Sequence, residues 1–186
     1  MEDQLLNLVI QSLAQGTTKI TVGHLNRYDF LRAQLPLVNV AQDNQFQQTF
    51  SGLFKLRYME QAHRPIYFGT MEQQKNNAAL NFPALLDAYH QQTGRWEVSF
   101  ISKLIAIIDP NRPVWDSIVS RRLALALPVA RNQANCAAAY VALNESMQGL
   151  LQRALFPNVL AGFAARFPGR LYQPMRILDT TIWGLG

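Results

Sequence analysis

Lys103 and Asp116 are the two side chains whose types and surroundings most clearly suggest chemistry. Lys103 lies in an apolar stretch beside Phe100 and Leu104, and Asp116 follows thirteen positions later, after a segment that contains two prolines. Removing a lysine from water disfavours its ammonium form and leaves an amine that can attack an electrophilic carbon. A carboxylate nearby can stabilise positive charge that develops on that carbon. The pair therefore predicts a nucleophile with a supporting carboxylate.

Each of the two residues also has a simpler structural interpretation. A lysine on an amphipathic helix commonly lays its aliphatic stem along apolar surface and keeps its charge in solvent. Asp116 precedes Ser117 and an apolar pair, which is the position of a helix N-cap. Capping and catalysis are compatible, because a carboxylate that accepts backbone N–H groups stays ionised and fixed in direction.

The elements that must position these residues are predicted to be helices, because apolar side chains recur at intervals of three and four along most of the chain. The predicted helices cover residues 5–15, 24–35, 42–59, 83–92, 99–108, 117–127, 129–156, 158–167 and 174–183, and the one over 129–156 could be interrupted at Gly149. Residues 17–22 could form a short strand, for which the sequence offers no obvious pairing partner. The segment 60–77, with Pro65, Gly69 and many polar residues, is predicted to be a loop or a subdomain junction. The fold class is therefore all-α.

Length and composition predict a compact multi-helix bundle. A chain of 186 residues with 49% hydrophobic residues is long enough for one core but not for two ordinary domains. We expect residues 1–186 to form a single domain, and any division into two helical lobes to fall near residues 60–80. The oligomeric state cannot be read from these features.

Charge suggests an anionic partner. The formal net charge is +5, and the excess lies entirely in residues 91–186, where ten Lys and Arg face five Asp and Glu. Arginine outnumbers lysine thirteen to four, which fits phosphate contact but also follows from a GC-rich genome. Because the sequence has no signal-peptide pattern and no stretch of eighteen apolar residues, we expect a cytoplasmic protein with no membrane partner.

Cysteine and histidine usage argues against metal chemistry. The single cysteine, Cys136, excludes an internal disulfide, a cysteine-based zinc site and an iron–sulfur cluster held by four cysteines. The three histidines, His24, His63 and His90, are far apart and form no spaced ligand motif. A small-molecule or metal-dependent enzyme built on these histidines is thus the least favoured hypothesis, and we expect no cofactor, no metal and no metal cluster.

Three motifs give a more specific indication. They are Ser-Phe-Ile-Ser-Lys-Leu at 99–104, Pro-Val-Trp-Asp-Ser at 113–117 and Leu-Asp-Thr-Thr-Ile-Trp at 178–183. Together with the order of helix, short Gly-containing turn, lysine-bearing helix and Pro-rich connection, they resemble signatures of the helix-hairpin-helix superfamily of DNA glycosylases. The similarity is to the 8-oxoguanine glycosylase-like fold of short bacterial proteins, and it covers residues 83–127 and the tail. A helix-hairpin-helix-like element is expected around residues 83–108.

The resemblance implies roles for the pair. Lys103 would take the position of the lysine that attacks the sugar C1′, and Asp116 that of the catalytic aspartate. The expected activity is excision of a damaged or modified base, a hydrolase reaction of DNA repair, with Schiff-base lyase activity at the abasic site as a further possibility.

The resemblance also implies DNA contacts and a pocket for a flipped base. The turn at 93–98, with Gly94, would bind a DNA phosphate through its backbone N–H groups. Further residues are candidates on their chemistry and their nearness in sequence. The candidate phosphate contacts are Arg95, Arg112, Arg121 and Arg122, and the candidate base-pocket walls are Trp115, Tyr172 and Trp183.

A second hypothesis from another class remains open at this point. The same helical fold and basic second half would suit a DNA-binding or protein-interaction module without catalysis. Such a module would bind ordinary duplex in a salt-dependent manner and release no base.

Overall fold

The structure, a computed structural model, describes residues 2–186 apart from the side chain of Arg57. Within this range the chain forms ten α-helices and two 3₁₀ turns and contains no strand, which confirms the all-α prediction. The helices are α1 Glu2–Gln15, α2 Val22–Gln34, α3 Asn44–Phe54, α4 Arg64–Gln74, α5 Phe82–Thr93, α6 Val98–Ile108, α7 Ser117–Arg122, α8 Gln133–Leu151, α9 Phe156–Arg166 and α10 Pro174–Trp183. The 3₁₀ turns, Leu56–Tyr58 and Gln61–His63, lie between α3 and α4.

Helix α6 is the centre of the bundle. Its residues are apolar on nearly every side, as expected of a helix surrounded by other helices, and α2, α5 and α8 pack around it. Around this centre, α1 packs along α9, α2 packs along α3, and α10 contacts α7, α8 and α9. The buried apolar side chains from α1 to α10 form one continuous cluster. No helix in the described range is long and apolar enough to cross a membrane.

The turn between α5 and α6 depends on a glycine. Gly94 ends α5 in the left-handed conformation, with φ 70°, where a side chain would be strained. Helices α5 and α6 pack directly on each other across this turn. The segment 83–108 is thus a pair of helices joined by a short Gly-containing turn, as the sequence predicts.

Two of the predicted element boundaries are wrong in the middle of the chain. The predicted loop at 60–77 contains α4, since Pro65 occupies the first turn of that helix, where its missing N–H costs no hydrogen bond, and Tyr67, Phe68 and Met71 supply a buried face. The predicted helix 117–127 ends at Arg122, because the chain turns through Ala124 in a left-handed conformation with φ 55°.

The long helix predicted over 129–156 is shorter at both ends and is not interrupted at Gly149. Helix α8 begins only after Asn132, whose side chain accepts the backbone N–H of Asn135 and so caps the first turn. It ends at Leu151, and α9 begins at Phe156 with a proline in its first turn. The possible strand at 17–22 is also absent from the structure, where Lys19 N–H instead donates to the carbonyl of Gly184 near the end of the chain.

Candidate functional site

A pocket opens between α2, α7 and α10, with the C-terminal end of α3 at one edge and the buried helix α6 beneath. Its open space, including the mouth, is about 670 Å³. The polar or charged side chains that line it are His24, Lys55, Lys103, Asp116, Arg176, Asp179 and Thr180. Apolar and aromatic side chains form the rest of the wall, namely Leu25, Tyr28, Leu53, Phe54, Val114, Val119, Tyr172 and Trp183.

The charged side chains of this pocket are unusual in their burial. Among the side chains that the structure describes, three charged residues are buried, and they are Lys103, Arg176 and Asp179. All three line this one pocket. Charged residues are rarely buried without a partner or a function, because leaving water costs them several kcal/mol. Their convergence marks the pocket as the candidate site.

Lys103 points from the central helix into this pocket. Its side chain is 7% exposed, its Nζ donates to Ser99 Oγ at 2.9 Å, and it lies 5.8 Å from the centre of the Phe100 ring. Burial lowers the pKa of Lys103 below its ordinary value, and the negative charges of Asp116, Glu97 and Asp179 oppose that shift only in part. Loss of hydration therefore favours the neutral amine that nucleophilic attack requires.

Asp116 lies in the same pocket at the start of α7. Its Oδ1 accepts the backbone N–H of Ile118 at 2.8 Å, so the residue is the N-cap that the sequence predicts. No ion pair of 4.0 Å or less joins Asp116 to Lys103 among the contacts of the described residues. The two groups thus line one pocket without forming an ion pair with each other.

The segment that carries Asp116 is held from two sides. Trp115 N–H donates to Ser102 Oγ at 2.9 Å, which ties the segment to α6 beside Lys103. Val114 N–H donates to Asp179 Oδ1 at 3.4 Å, which ties it to α10. These two backbone bonds fix the segment before Asp116 against α6, which carries Lys103, and against α10, which carries Asp179.

Arg176 and Asp179 form a buried ion pair on α10, and each residue is 5% exposed. Burial raises the pKa of Asp179 to about 6, although the Arg176 charge and the Val114 N–H oppose the shift. The guanidinium lies over the ring of Tyr28, with its carbon 5.5 Å from the ring centre. The Nε of Arg176 is buried and has no hydrogen-bond partner in the protein.

Two edge-to-face aromatic pairs flank the pocket. Tyr28 and Tyr172 meet with ring centres 5.2 Å apart, and His24 and Trp183 meet at 5.1 Å. The Tyr172 hydroxyl donates to Asp29 Oδ1 at 2.7 Å, which fixes the ring against α2. These pairs give the pocket largely apolar, aromatic walls against which a planar ring system can pack.

The structure brings together two of the three predicted base-pocket residues. Tyr172 and Trp183 line the pocket, whereas the Trp115 side chain does not. Trp115 is 4% exposed and belongs to the hydrophobic core. Its contribution to the site comes through its backbone bond to Ser102, since its ring is buried among core residues.

The residues of the predicted hairpin contact lie elsewhere on the surface. Gly94 is exposed at the end of α5, and Arg95 beside it forms an ion pair with Glu60. Neither residue lines the pocket. The structure therefore places the turn apart from the pocket, and its contact with DNA stays a prediction.

The other predicted phosphate contacts are also outside the pocket wall. Arg112 pairs with Asp109 at 3.4 Å, and Arg121 is exposed in the last turn of α7. Arg122, next to it, donates to the carbonyl of Leu185 at 3.1 Å. A role for these side chains on DNA stays a prediction.

Sequence analysis missed Arg176, Asp179 and Tyr28 as site residues. The tail motif carries a signal for the first two, since Asp179 and Trp183 are four positions apart and Arg176 precedes Asp179 by three, which places all three on one helix face. Nothing near Tyr28 in the sequence indicates its place in the pocket. Tyr28 lies in the pocket because α2 packs against the central helix α6.

The histidines do not converge in the structure. His24 lies at the pocket and completes a capping box with Thr21, His63 is 3.8 Å from Glu60, and His90 stacks on Trp96. Among the described residues no group of three His, Cys, Asp or Glu side chains could hold a metal ion.

In comparisons with known proteins, no protein-family model, curated protein or solved structure matches this chain. The candidate function therefore depends on the chemistry of the pocket residues and on the three motifs of the sequence.

Proposed function

We propose that the protein is a DNA glycosylase-like enzyme that excises a damaged or modified base, with Lys103 as the nucleophile and Asp116 as the stabilising carboxylate. The observation that carries the proposal is the opening of a dehydrated lysine and a helix-capping aspartate into one aromatic-walled pocket. The resemblance of the segments around these residues to helix-hairpin-helix glycosylases supports the same assignment.

The reaction follows from the two groups. The neutral Lys103 amine attacks C1′ of the deoxyribose while the bond from C1′ to the base nitrogen breaks, and the base leaves with the electron pair of that bond. The attacking nitrogen then loses one proton, and the departing base gains one. Asp116 stabilises the positive charge that builds on the sugar as the bond breaks.

A lyase step can follow on the same lysine. Opening of the sugar ring moves a proton to O4′ and leaves C1′ joined to Nζ as a Schiff base. Loss of a C2′ proton then releases the 3′ phosphate by elimination, which cuts the strand. The low pKa of Lys103 favours this chemistry because a protonated amine cannot attack.

The pocket suits a base that has left the duplex. The walls formed by Tyr172 and Trp183 can hold a flat ring, and Lys103 and Asp116 line the same pocket, where they can face the sugar of the extruded nucleotide. The net charge of +5 favours approach to the phosphate backbone, which would be held by residues outside the pocket.

Borohydride trapping tests the proposal directly. The purified protein is incubated with duplex oligonucleotides that contain an abasic site or one of a panel of damaged bases, and borohydride is added to reduce any Schiff base to a stable amine. We expect a covalent adduct whose peptide map places the sugar on Lys103. With only four lysines in the chain, mass spectrometry distinguishes Lys103 from the others and from the N-terminal amine.

Two variants show whether the adduct requires Lys103. Lys103→Gln should abolish the adduct, whereas Lys19→Gln, at an exposed lysine outside the pocket, should trap as the wild type does. An adduct that persists in Lys103→Gln would remove the lysine from its proposed role. Salt-dependent duplex binding without any adduct or released base would favour the non-catalytic DNA-binding module instead.

A further inference from the structure

The Arg176 end of the pocket has hydrogen-bond donors without acceptors. A guanidinium has five N–H donors and accepts none. Arg176 uses Nη2 on Asp179, and this is its only hydrogen bond among the described residues. Its Nε is buried without a partner. The hydroxyl of Tyr28, over which the guanidinium lies, also forms no hydrogen bond in the described structure.

The buried, unpaired Nε of Arg176 indicates the chemistry of a ligand for this end of the pocket. A native protein pairs nearly all its buried polar groups, so an unpaired donor set in a pocket calls for an acceptor supplied from outside. Arg176 is held in place by Asp179 and by the Tyr28 ring, so the acceptor must come to it. A carbonyl oxygen meets that requirement, and so does an anion.

The charge balance of the pocket favours the carbonyl. Besides Arg176, two carboxylates, Asp116 and Asp179, line the pocket. A phosphate dianion placed there would be repelled by both carboxylates, whereas a neutral carbonyl would not be repelled. The carboxylates can in addition accept an N–H beside the carbonyl, because Asp116 uses only Oδ1, on the Ile118 N–H.

We propose that Arg176 is a specificity residue that selects bases with a ring carbonyl next to a ring N–H, as in hypoxanthine, over bases with an amino group at that position, as in adenine. The carbonyl accepts from the guanidinium, and the ring lies between the walls of Tyr172 and Trp183. An amino group at that position would place its N–H donors against the N–H donors of the guanidinium. This inference rests on the proposed function for its ligand class, a base, but its test needs no DNA and no catalysis.

The test compares three nucleosides that differ only at one ring position. Inosine carries the carbonyl, adenosine the amino group, and purine riboside neither. Binding is followed by the indole N–H signal of Trp183 in NMR titrations, with the signal assigned through Trp183→Phe. Purine riboside lacks the hydrogen bond to the guanidinium, and adenosine replaces it by a contact between two donors. We therefore expect inosine to bind about tenfold more tightly than adenosine, with purine riboside between them.

A paired substitution tests Arg176 itself. Arg176→Gln with Asp179→Asn removes both buried charges together, so that neither is left unpaired, and should bring inosine and adenosine to within about twofold of each other. Arg153→Gln, at an exposed arginine paired with Asp3, is the control and should keep the wild-type preference. The order of the three nucleosides on the wild-type protein is informative whether or not the double variant folds.

The outcomes separate this inference from the proposed enzyme activity. Equal binding of the three nucleosides, tighter binding of adenosine, or no binding of any would overturn the specificity assignment, even if Lys103 is trapped. A preference for inosine together with no trapped adduct would leave the carbonyl-selective pocket standing and refute the glycosylase proposal. A preference that survives in the double variant would show that groups other than Arg176 select the base.

Discussion

Replacing Lys103 by methionine should make the protein more stable near neutral pH. Methionine has a similar length, is flexible and needs no hydration, so it can occupy the path of the lysine stem. The substitution loses the hydrogen bond from Nζ to Ser99 Oγ, which is worth about 1 kcal/mol. It also removes a buried charge that has no ion-pair partner, and the burial of such a charge costs several kcal/mol. The net expectation at pH 7 is a gain of about 1–2 kcal/mol in unfolding free energy.

The gain should depend on pH in a definite direction. The pKa of Lys103 in the folded protein lies below its ordinary value of 10.5, so the unfolded chain binds the proton more tightly than the folded one. Wild-type stability therefore rises as the pH passes from the folded-state pKa toward 10.5, by up to about 1.4 kcal/mol per pH unit. Lys103→Met lacks this titration, so its advantage over the wild type should shrink across that range.

Urea unfolding at several pH values between 7 and 10.5 measures both quantities. Lys19→Met serves as the control, because Lys19 is exposed and its substitution should change neither the stability at pH 7 nor the slope. The reasoning fails if Lys103→Met is less stable than the wild type at pH 7, or if the difference between them is the same at every pH. Either result would mean that the ammonium group is well solvated in the folded protein.

Three further predictions concern the neighbours of Lys103 and the end of the chain. Asp116→Ala should cost about 1 kcal/mol in unfolding free energy and abolish trapping, whereas Asp116→Ser keeps a capping oxygen and should restore the stability but not the trapping. Asp179 has its pKa raised from 3.8 to about 6, so wild-type stability should fall as the pH rises from 3.8 through about 6, and Asp179→Asn should remove that part of the pH dependence in urea titrations. Gly184→Ala would place a Cβ 2.5 Å from Thr18 Oγ1 and should lower the melting temperature, whereas Gly52→Ala, in α3 with nothing within 4 Å, should raise it.

Helix α10 and the end of α6 could be predicted from local signals. Residues 174–183 form α10 as expected, because Pro174 sets the first turn and Gly184 follows the last. The break after α6 was equally predictable, since Pro110 and Pro113 forbid a continuing helix. In these places one or two residues decide the backbone, and no distant contact overrides them.

The middle of the chain could not be predicted in the same way. Helix α4 carries a proline, a glycine and many polar residues, and its identity depends on three side chains that are buried only because other helices cover them. The end of α7 depends on Ala124 adopting a left-handed conformation that alanine does not favour by itself. Tertiary packing, which periodicity does not report, decides both.

The site residues also fall into those that local sequence predicts and those that only tertiary packing places. Lys103 and Asp116 were identified from their own sequence context, and the structure shows them on one pocket. Ser102 was part of a quoted motif, but its bond to the Trp115 N–H, which sets the position of Asp116, is a contact between residues thirteen positions apart that only the folded chain reveals. Tyr28 comes from a helix more than seventy residues before the lysine.

The distribution of buried charge is the strongest reason to regard the pocket as functional. If Lys103, Arg176 and Asp179 were buried to stabilise the fold, the three could lie anywhere in the core, and each would be expected to find its full set of partners. Instead they line one cavity, Arg176 Nε stays unpaired, and Lys103 has no ion pair. The three buried charges thus carry an energetic cost together in one pocket, which is the pattern expected where a ligand supplies partners.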